Sequence, residues 1–360
     1  MRRPTRLLVT VLVLMAAATA IVAPSGTAGA GQKAEKAQKT ETITLVTHDS
    51  FALSEDVLAA FTKRTGIEVK IVPLGDAGQL VNQAILTKDN PLGDVLFGVD
   101  NTFLTRALDA GIFEPYRSKE LFRVRPFLDV DRAHRVTPID TGDVCINYDK
   151  EWFAKKGLTV PKTLTDLTKP KYRDLLVVED PSTSSPGLGF LLATVAEFGE
   201  NGWIDYWKQL RDNDVTVVDG WEQAYYDEFS GGGGGGEKPL VVSYASSPAA
   251  AVVFADPPID ESPIGTMTAS CFRQVEFAGV LAGTEHRAAA RQLVDFLLSD
   301  AVQSDIPLQM FVYPAITDAR LPKVFADNAD TAENAYWLSP ARIGAHRDDW
   351  IREWTGTVLR

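Results

Sequence analysis

DPSTSSPGLGFLL, Asp180 to Leu192, crowds four hydroxyls, Pro186 and two glycines into the point where the apolar run RDLLVVE gives way to FLLATVAEFG. The first run reads as a strand and the second as a helix. Amides at a helix start lack intrahelical partners and carry a partial positive charge, so a hydroxyl-rich turn there suits either a cap or a bound anion. Pro186 fits a first helical position, which makes Ser184 or Ser185 the expected cap and leaves the amides of Gly187 and Leu188 to face a phosphate.

The same strand, polar turn and helix recur along the chain. ITLVTHDSF leads through His48-Asp49-Ser50 into DVLAAFTKRTG, which Gly66 stops. IEVKIVPL, AGQLVNQAILTK, DVLFGVD and NTFLTRALDAG continue the alternation, with Asn101 the expected cap of the last helix. PLVVSYASSPAAAVVF repeats it around Ser243 to Ser247. Alternation of this kind predicts an α/β fold with a mostly parallel sheet and ligands at the carboxyl ends of its strands. RVTPIDTGDVCINYDK and SCFRQVEFAGVL read as strands crossing between two Rossmann-like lobes joined by a hinge. The expected division is a leader over 1–30, a flexible lead-in over 31–42, one lobe of 43–138 with 275–318, a second of 139–274, and C-terminal helices over 319–360 whose lobe is open.

Composition narrows the function classes. The 360 residues carry 36 basic against 48 acidic side chains, a net charge of −12, so nucleic acid is not an expected partner. MRRPTR, an apolar run and Ala28-Gly29-Ala30 predict a cleaved secretory signal, and with no cysteine near that site a lipid anchor is not expected. Cys145 and Cys271 lie in strand-like runs; a single bridge and two buried thiols both remain open, and no zinc spacing exists. The run SGGGGGGEK, Ser230 to Lys238, lacks a phosphate-loop pattern and reads as a floppy surface connection. DDWIREWTGTV puts Trp350 and Trp354 on one helix face, a packing pattern.

Candidate chemistry gathers at three junctions, around His48, Ser182–Ser185 and Ser243–Ser247, with Trp221 at a further helix start, where its ring can stack on a cationic heterocycle. A hydrolase using Ser50 or a serine of 182–185 is a weaker alternative, because no G-x-S-x-G or H-E-x-x-H is present. Tyr225-Tyr226 would suit ferric ion, but helical neighbours diverge by about 100°, so a receptor for iron, a polyamine or another cation is also the lesser reading.

Together, T-H-D-S-F (47–51), L-G-D-A (74–77), G-V-D-N (98–101), D-T-G-D-V-C-I-N-Y-D-K (140–150), D-P-S-T-S-S-P-G-L-G (180–189), G-W-E-Q-A-Y (220–225), S-Y-A-S-S-P (243–248) and F-V-Y-P (311–314) resemble the periplasmic thiamine-binding receptors of bacterial ABC importers. The resemblance implies the type II periplasmic-binding-protein architecture. It implies a monomeric receptor that makes and breaks no bond, uses no cofactor or metal, and hands thiamine or its mono- or diphosphate to a membrane permease. It places the ligand among His48, Asp49, Asp76, Asp100, Ser184, Ser185, Gly187, Trp221, Tyr244 and Phe311. Asp76 would take the aminopyrimidine, Ser184 and Ser185 the phosphate end, Trp221 and Tyr244 the ring. Relative to the family, His48, Ala250 and Phe311 stand where larger aromatics can occur, which thins the expected cage.

Overall fold

The computed structural model describes residues 41–360; the expected leader and nearly all of the lead-in lie outside the described residues. Glu41 and Thr42, assigned to the lead-in, already belong to the first strand.

The first elements are β1 (Glu41–Thr47), α1 (Glu55–Thr65), β2 (Ile67–Pro73), α2 (Ala77–Leu86), β3 (Val95–Asp100) and α3 (Leu104–Ala110). They are followed by β4 (Thr137–Asp149), α4 (Lys150–Lys156), β5 (Leu176–Glu179), α5 (Ser185–Asp212), β6 (Thr216–Val218), β7 (Leu240–Tyr244) and α6 (Ser247–Val253). The chain ends with β8 (Ile264–Val280), α7 (Arg287–Leu297), α8 (Asp300–Gln309), β9 (Tyr313–Pro314), α9 (Lys323–Asn328) and α10 (Pro340–Val358).

The strands lie in the order β2-β1-β3-β8-β4-β7-β5-β6, with β9 beside β4. At one end β1 runs parallel to β2 and β3, and at the other β5 runs parallel to β6 and β7, as helical crossovers require. Between them β4 and β8 run antiparallel from Thr137↔Ala278 to Asp149↔Ile264. At 13 and 17 residues they are long enough to belong to both halves, so everything that lies on them is shared by the two lobes. Cys145 on β4 and Cys271 on β8 form a disulfide with a Cα–Cα distance of 4.2 Å, across 126 residues of sequence. Closing a loop that long removes enough unfolded-chain entropy to contribute about 5 kcal/mol.

Two local expectations are corrected. Asn101 does not cap α3: it is fully buried, its Nδ2 donates to the Arg273 carbonyl and its Oδ1 accepts from the Val275 amide, joining the end of β3 to β8. The Asp100 carboxylate caps that turn instead, accepting from the amides of Thr102 and Phe103. The glycine run is not a loose connection either. Residues 223–228, expected as an α-helix, form one π-helical turn, and alternate glycines of the run lie against its backbone. A Cβ on Gly232 would sit 1.7 Å from the Tyr225 carbonyl oxygen, and one on Gly234 1.8 Å from that of Tyr226. Only glycine allows that approach, so the run buttresses the tyrosine segment.

Trp354 is fully buried and meets Trp207 of α5 edge-on at 5.4 Å, while Trp350 is 4% exposed, so both C-terminal tryptophans serve packing.

Candidate functional site

Where the strands of both halves end, the carboxyl-terminal turns enclose a cleft of about 190 Å³ over the crossing strands. One wall is the second lobe. Trp221 stacks on Tyr225 at 5.0 Å and 23°, with Tyr226 edge-on at 5.7 Å and Tyr244 at 6.2 Å. The Trp221 indole Nε1 donates to Ser243 Oγ at 2.9 Å, and Ser243 Oγ also lies 2.9 Å from Ser247 Oγ. The hydroxyls of 243–247 therefore orient the indole plane. Tyr226 lines the cleft beside Tyr225, both carried by the π-helical turn, their rings at 83° to one another.

Asp76 is the N-cap of α2. One carboxylate oxygen accepts from the Ala77 amide at 2.6 Å and from Ser185 N, across the cleft, at 3.4 Å. The other accepts from Trp221 N at 3.0 Å. The helix start that a bound phosphate was expected to occupy thus already has an anion: Asp76 of the opposite lobe faces the positive ends of α2 and α5 together. Burial raises its pKa, only partly offset by these hydrogen bonds.

The structure separates the remaining expected residues into two groups. His48, Asp49, Asp76, Ser185, Trp221, Tyr244 and Phe311 line the cleft. Asp100, Ser184 and Gly187 do not: they lie behind it. Asp100 is fully buried and accepts from Ser185 Oγ and Thr102 Oγ1, and burial pushes its pKa up to about 6. Ser184 is fully buried at the N-cap position of α5 without a side-chain cap bond. Gly187 packs on β5, where a Cβ would come within 2.5 Å of the Glu179 carbonyl oxygen. The Glu179 side chain is itself buried, its carboxyl oxygens without a hydrogen-bond partner, and burial raises its pKa well above the usual carboxylate range.

At the floor, His48 Nε2 lies 3.3 Å from Glu276 Oε1 of β8, although the N–H does not point along that line. Burial opposes the histidine's charge, but Glu276, with Asp76 and Asp49 behind it, outweighs that and raises the pKa. The imidazole fits because Gly98, at φ +103°, has no Cβ; one there would sit 2.3 Å from His48 Cδ2. Glu276 faces Asp140 across the β4–β8 register. Asp140 is fully buried, and burial together with the Glu276 charge raises its pKa well above the usual carboxylate range, which favours the neutral acid. For Glu276, burial pulls the other way, yet the His48 charge 3.3 Å away and the neighbouring Asp140 lower its pKa.

The sequence reading did not single out Glu276, Gln274, Glu222, Phe254 or Met310, all of which line the cleft. Gln274 Nε2 donates to Ser185 Oγ at 3.3 Å, linking the hinge to the second lobe. Strand alternation puts Gln274 and Glu276 on one face of β8, a signal that was available once that strand was taken as a crossing one. Phe254, four residues after Ala250, is 69% exposed and packs edge-on against Phe311 at 5.3 Å, so it supplies an aromatic close to where Ala250 leaves none. Phe311 sits at φ +54°, a costly conformation for a bulky residue, with its carbonyl held by Ser246 Oγ.

The electrostatics of the lining are one-sided. Asp49, Asp76, Glu222 and Glu276 line the cleft with His48, and no lysine or arginine does so among the described residues. Among the serines of the hydrolase alternative, Ser50, Ser182 and Ser185 contact carboxylates in place of an imidazole: Ser50 Oγ meets Glu222, Ser182 Oγ meets Asp180 and Ser185 Oγ meets Asp100.

The family described as bacterial extracellular solute-binding protein matches residues 90–344. A thiamine-binding periplasmic protein of Salmonella typhimurium is 31% identical over 323 residues, which cover 88% of this chain and 94% of the relative. Among solved structures, a periplasmic thiamin binding protein superposes with a TM-score of 0.78 at 28% identity, covering 89% of this chain and 96% of that one. A ferric binding protein from Campylobacter jejuni shares the fold alone, with a TM-score of 0.71 at 16% identity, covering 88% of this chain and 99% of that one.

Proposed function

The chain belongs to the bacterial extracellular solute-binding protein family, and on that footing we propose that it is a periplasmic receptor that captures thiamine and presents it to an ABC-type permease. The observation that carries the ligand is the lining itself: four carboxylates, a wall of stacked aromatics and no lysine or arginine. The thiazolium of thiamine is a fixed cation on a flat ring, which such a wall holds by stacking and cation–π attraction of about 0.5–2 kcal/mol. The aminopyrimidine, a donor and acceptor, reaches Asp76 at the α2 cap.

Free thiamine is the preferred form in this reading, ahead of the mono- and diphosphate. The start of α5 is occupied by the Asp76 carboxylate, and a phosphate would meet four acids with no lysine or arginine among the described lining residues to pair with it. The lobes, 43–138 with 275–318 and 139–274, close about β4 and β8. Ligand favours the closed form because only there do both lobes touch it. The protein acts as a monomer, and its work is binding and release without bond chemistry.

The test is calorimetric titration with thiamine, thiamine monophosphate, spermidine and ferric citrate. Thiamine is expected to bind most tightly, with the monophosphate at least tenfold weaker, a gap of about 1.4 kcal/mol. Binding of ferric citrate or spermidine without thiamine would replace this proposal with the cation-receptor alternative, which the paired Tyr225 and Tyr226 rings at the cleft would then serve.

A further inference from the structure

A cationic ligand entering this cleft meets a resident positive charge. His48 is the one basic group among the described lining residues, and it lies at the floor, where the ligand's charge is attracted by the same carboxylates. The groups that act on it come from every side: Glu276 of β8 at 3.3 Å, Asp76 at the start of α2, its own neighbour Asp49, and Glu222 beside Trp221. Asp140 of β4 stands behind Glu276. Glu276 at 3.3 Å favours the charged form of His48, and burial beside Glu276 favours the neutral acid of Asp140, the combination in which the hinge trio carries no net charge.

The imidazolium has no room to withdraw. Its ring is pressed over Gly98, which would clash if it carried a Cβ, and lies 5.6 Å from the Phe97 ring. Charge relief must therefore come from losing the proton. Asp140 cannot supply the same relief by ionising, because its oxygens are fully buried with no donor among the described residues and face another acid.

Resting on the ligand reading above, we infer that His48 is a specificity-determining residue and the cleft's exchangeable cation: the ligand's fixed positive charge replaces that of the imidazolium, whose N–H proton passes to solvent. The site then holds neutral His48, ionised Glu276 and the bound cation, the same total charge as before. A neutral analogue of the same shape gains nothing from this exchange, since it would have to displace a proton without replacing its charge, or bind beside an unrelieved cation. Selectivity for a permanent cation follows from the residue itself. Binding tightens as pH rises toward the raised pKa of His48, because less proton has to be expelled, and levels off above it.

The experiment is calorimetric titration of the full chain with thiamine at about pH 6.5, in two buffers of widely different ionisation enthalpy, for the native protein and for His48→Gln. The native protein is expected to release more than about half a proton per thiamine bound, and its affinity to rise by up to about tenfold per pH unit below the His48 pKa. His48→Gln is expected to lose both the release and the slope. The difference between the two proteins counts the histidine's proton even where the ligand's own ring takes one up. Thiamine binding with no proton release by the native protein overturns this inference alone. Equal release by His48→Gln overturns it too, as does release that disappears in Asp140→Asn instead. Absence of any thiamine binding overturns the ligand reading and this inference with it. If His48→Gln does not fold, the two-buffer measurement on the native protein decides.

Discussion

Replacing Asp76 by alanine separates the closing of the lobes from the stability of either one. In the structure its carboxylate makes one bond inside its own lobe, to Ala77 N at 2.6 Å, and two across the cleft, to Trp221 N at 3.0 Å and Ser185 N at 3.4 Å. Losing the cap bond costs α2 about 1 kcal/mol. Of the two cross-cleft bonds, the shorter is well formed and a hydrogen bond to a charged group contributes about 1.5–3 kcal/mol, while the longer adds little. The closed form should therefore lose about 2 kcal/mol relative to the open one, which by itself raises the dissociation constant for a ligand that requires closure about 30-fold, with the lost aminopyrimidine contact adding to it. The partners are backbone amides, so the latch acts without ligand, and small-angle scattering of the ligand-free variant should give a larger radius of gyration than the native protein. Calorimetry and scattering together check this. An affinity within about threefold of native with an unchanged radius would refute the latch, because a loss of that size is under about 0.7 kcal/mol.

Further predictions use other contacts. Gly78→Ala places a methyl 2.5 Å from the Thr183 carbonyl oxygen across the cleft and 2.9 Å from the buried Phe103 ring in its own lobe, so thiamine affinity should fall and the melting temperature should drop modestly, the helix propensity gained in α2 offsetting part of the second clash; unchanged affinity would show that the lobes do not approach there. Trp221→Ala removes the stacked ring and should weaken thiamine binding by about 1–3 kcal/mol by calorimetry. It should also lower the melting temperature by a few degrees, since the indole packs on Tyr225 and donates to Ser243, and unchanged affinity would remove its ligand role. Asp100, Asp140 and Glu179 all titrate higher when folded than unfolded, so the folded chain binds more protons and stability falls as pH rises. Asp100 alone, with its pKa near 6, contributes a difference of about 2 kcal/mol between pH 4 and 6. The raised pKa of His48 adds in the same direction above its ordinary value, so the denaturation midpoint should be higher at pH 5 than at pH 7; a lower midpoint at pH 5 would contradict the burial of these acids.

Much of the fold could be read along the chain, because strand and helix periodicity is a local property. The alternation from Ile43 to Ala110, the Gly66 stop of α1 and the helix beginning at Ser185 all follow from near neighbours. Readings failed where a residue's partner is distant in sequence. Asn101 looks like a cap but bonds β8, 172 residues away, and the glycine run looks loose until the tyrosine turn it supports is folded onto it. At the site, the polar turns and Trp221 were visible as chemistry beyond what local structure needs, whereas Asp76 came only from the family resemblance and is also the N-cap of α2.

The sequence by itself determined the βα units, their polar carboxyl-terminal turns and an aromatic at the start of a second-lobe turn, since each depends on spacing within a few residues. Only the tertiary structure decided what those groups meet. It gave the amide of Ser185 the carboxylate of Asp76 where a phosphate was expected, and put His48, Glu276 and Asp140 in one buried trio at the hinge. The reason is electrostatic: a carboxylate's or an imidazole's charge state depends on burial and on charges a few ångströms away, and those distances are set by how β1, β4 and β8 pair, not by their order in the chain.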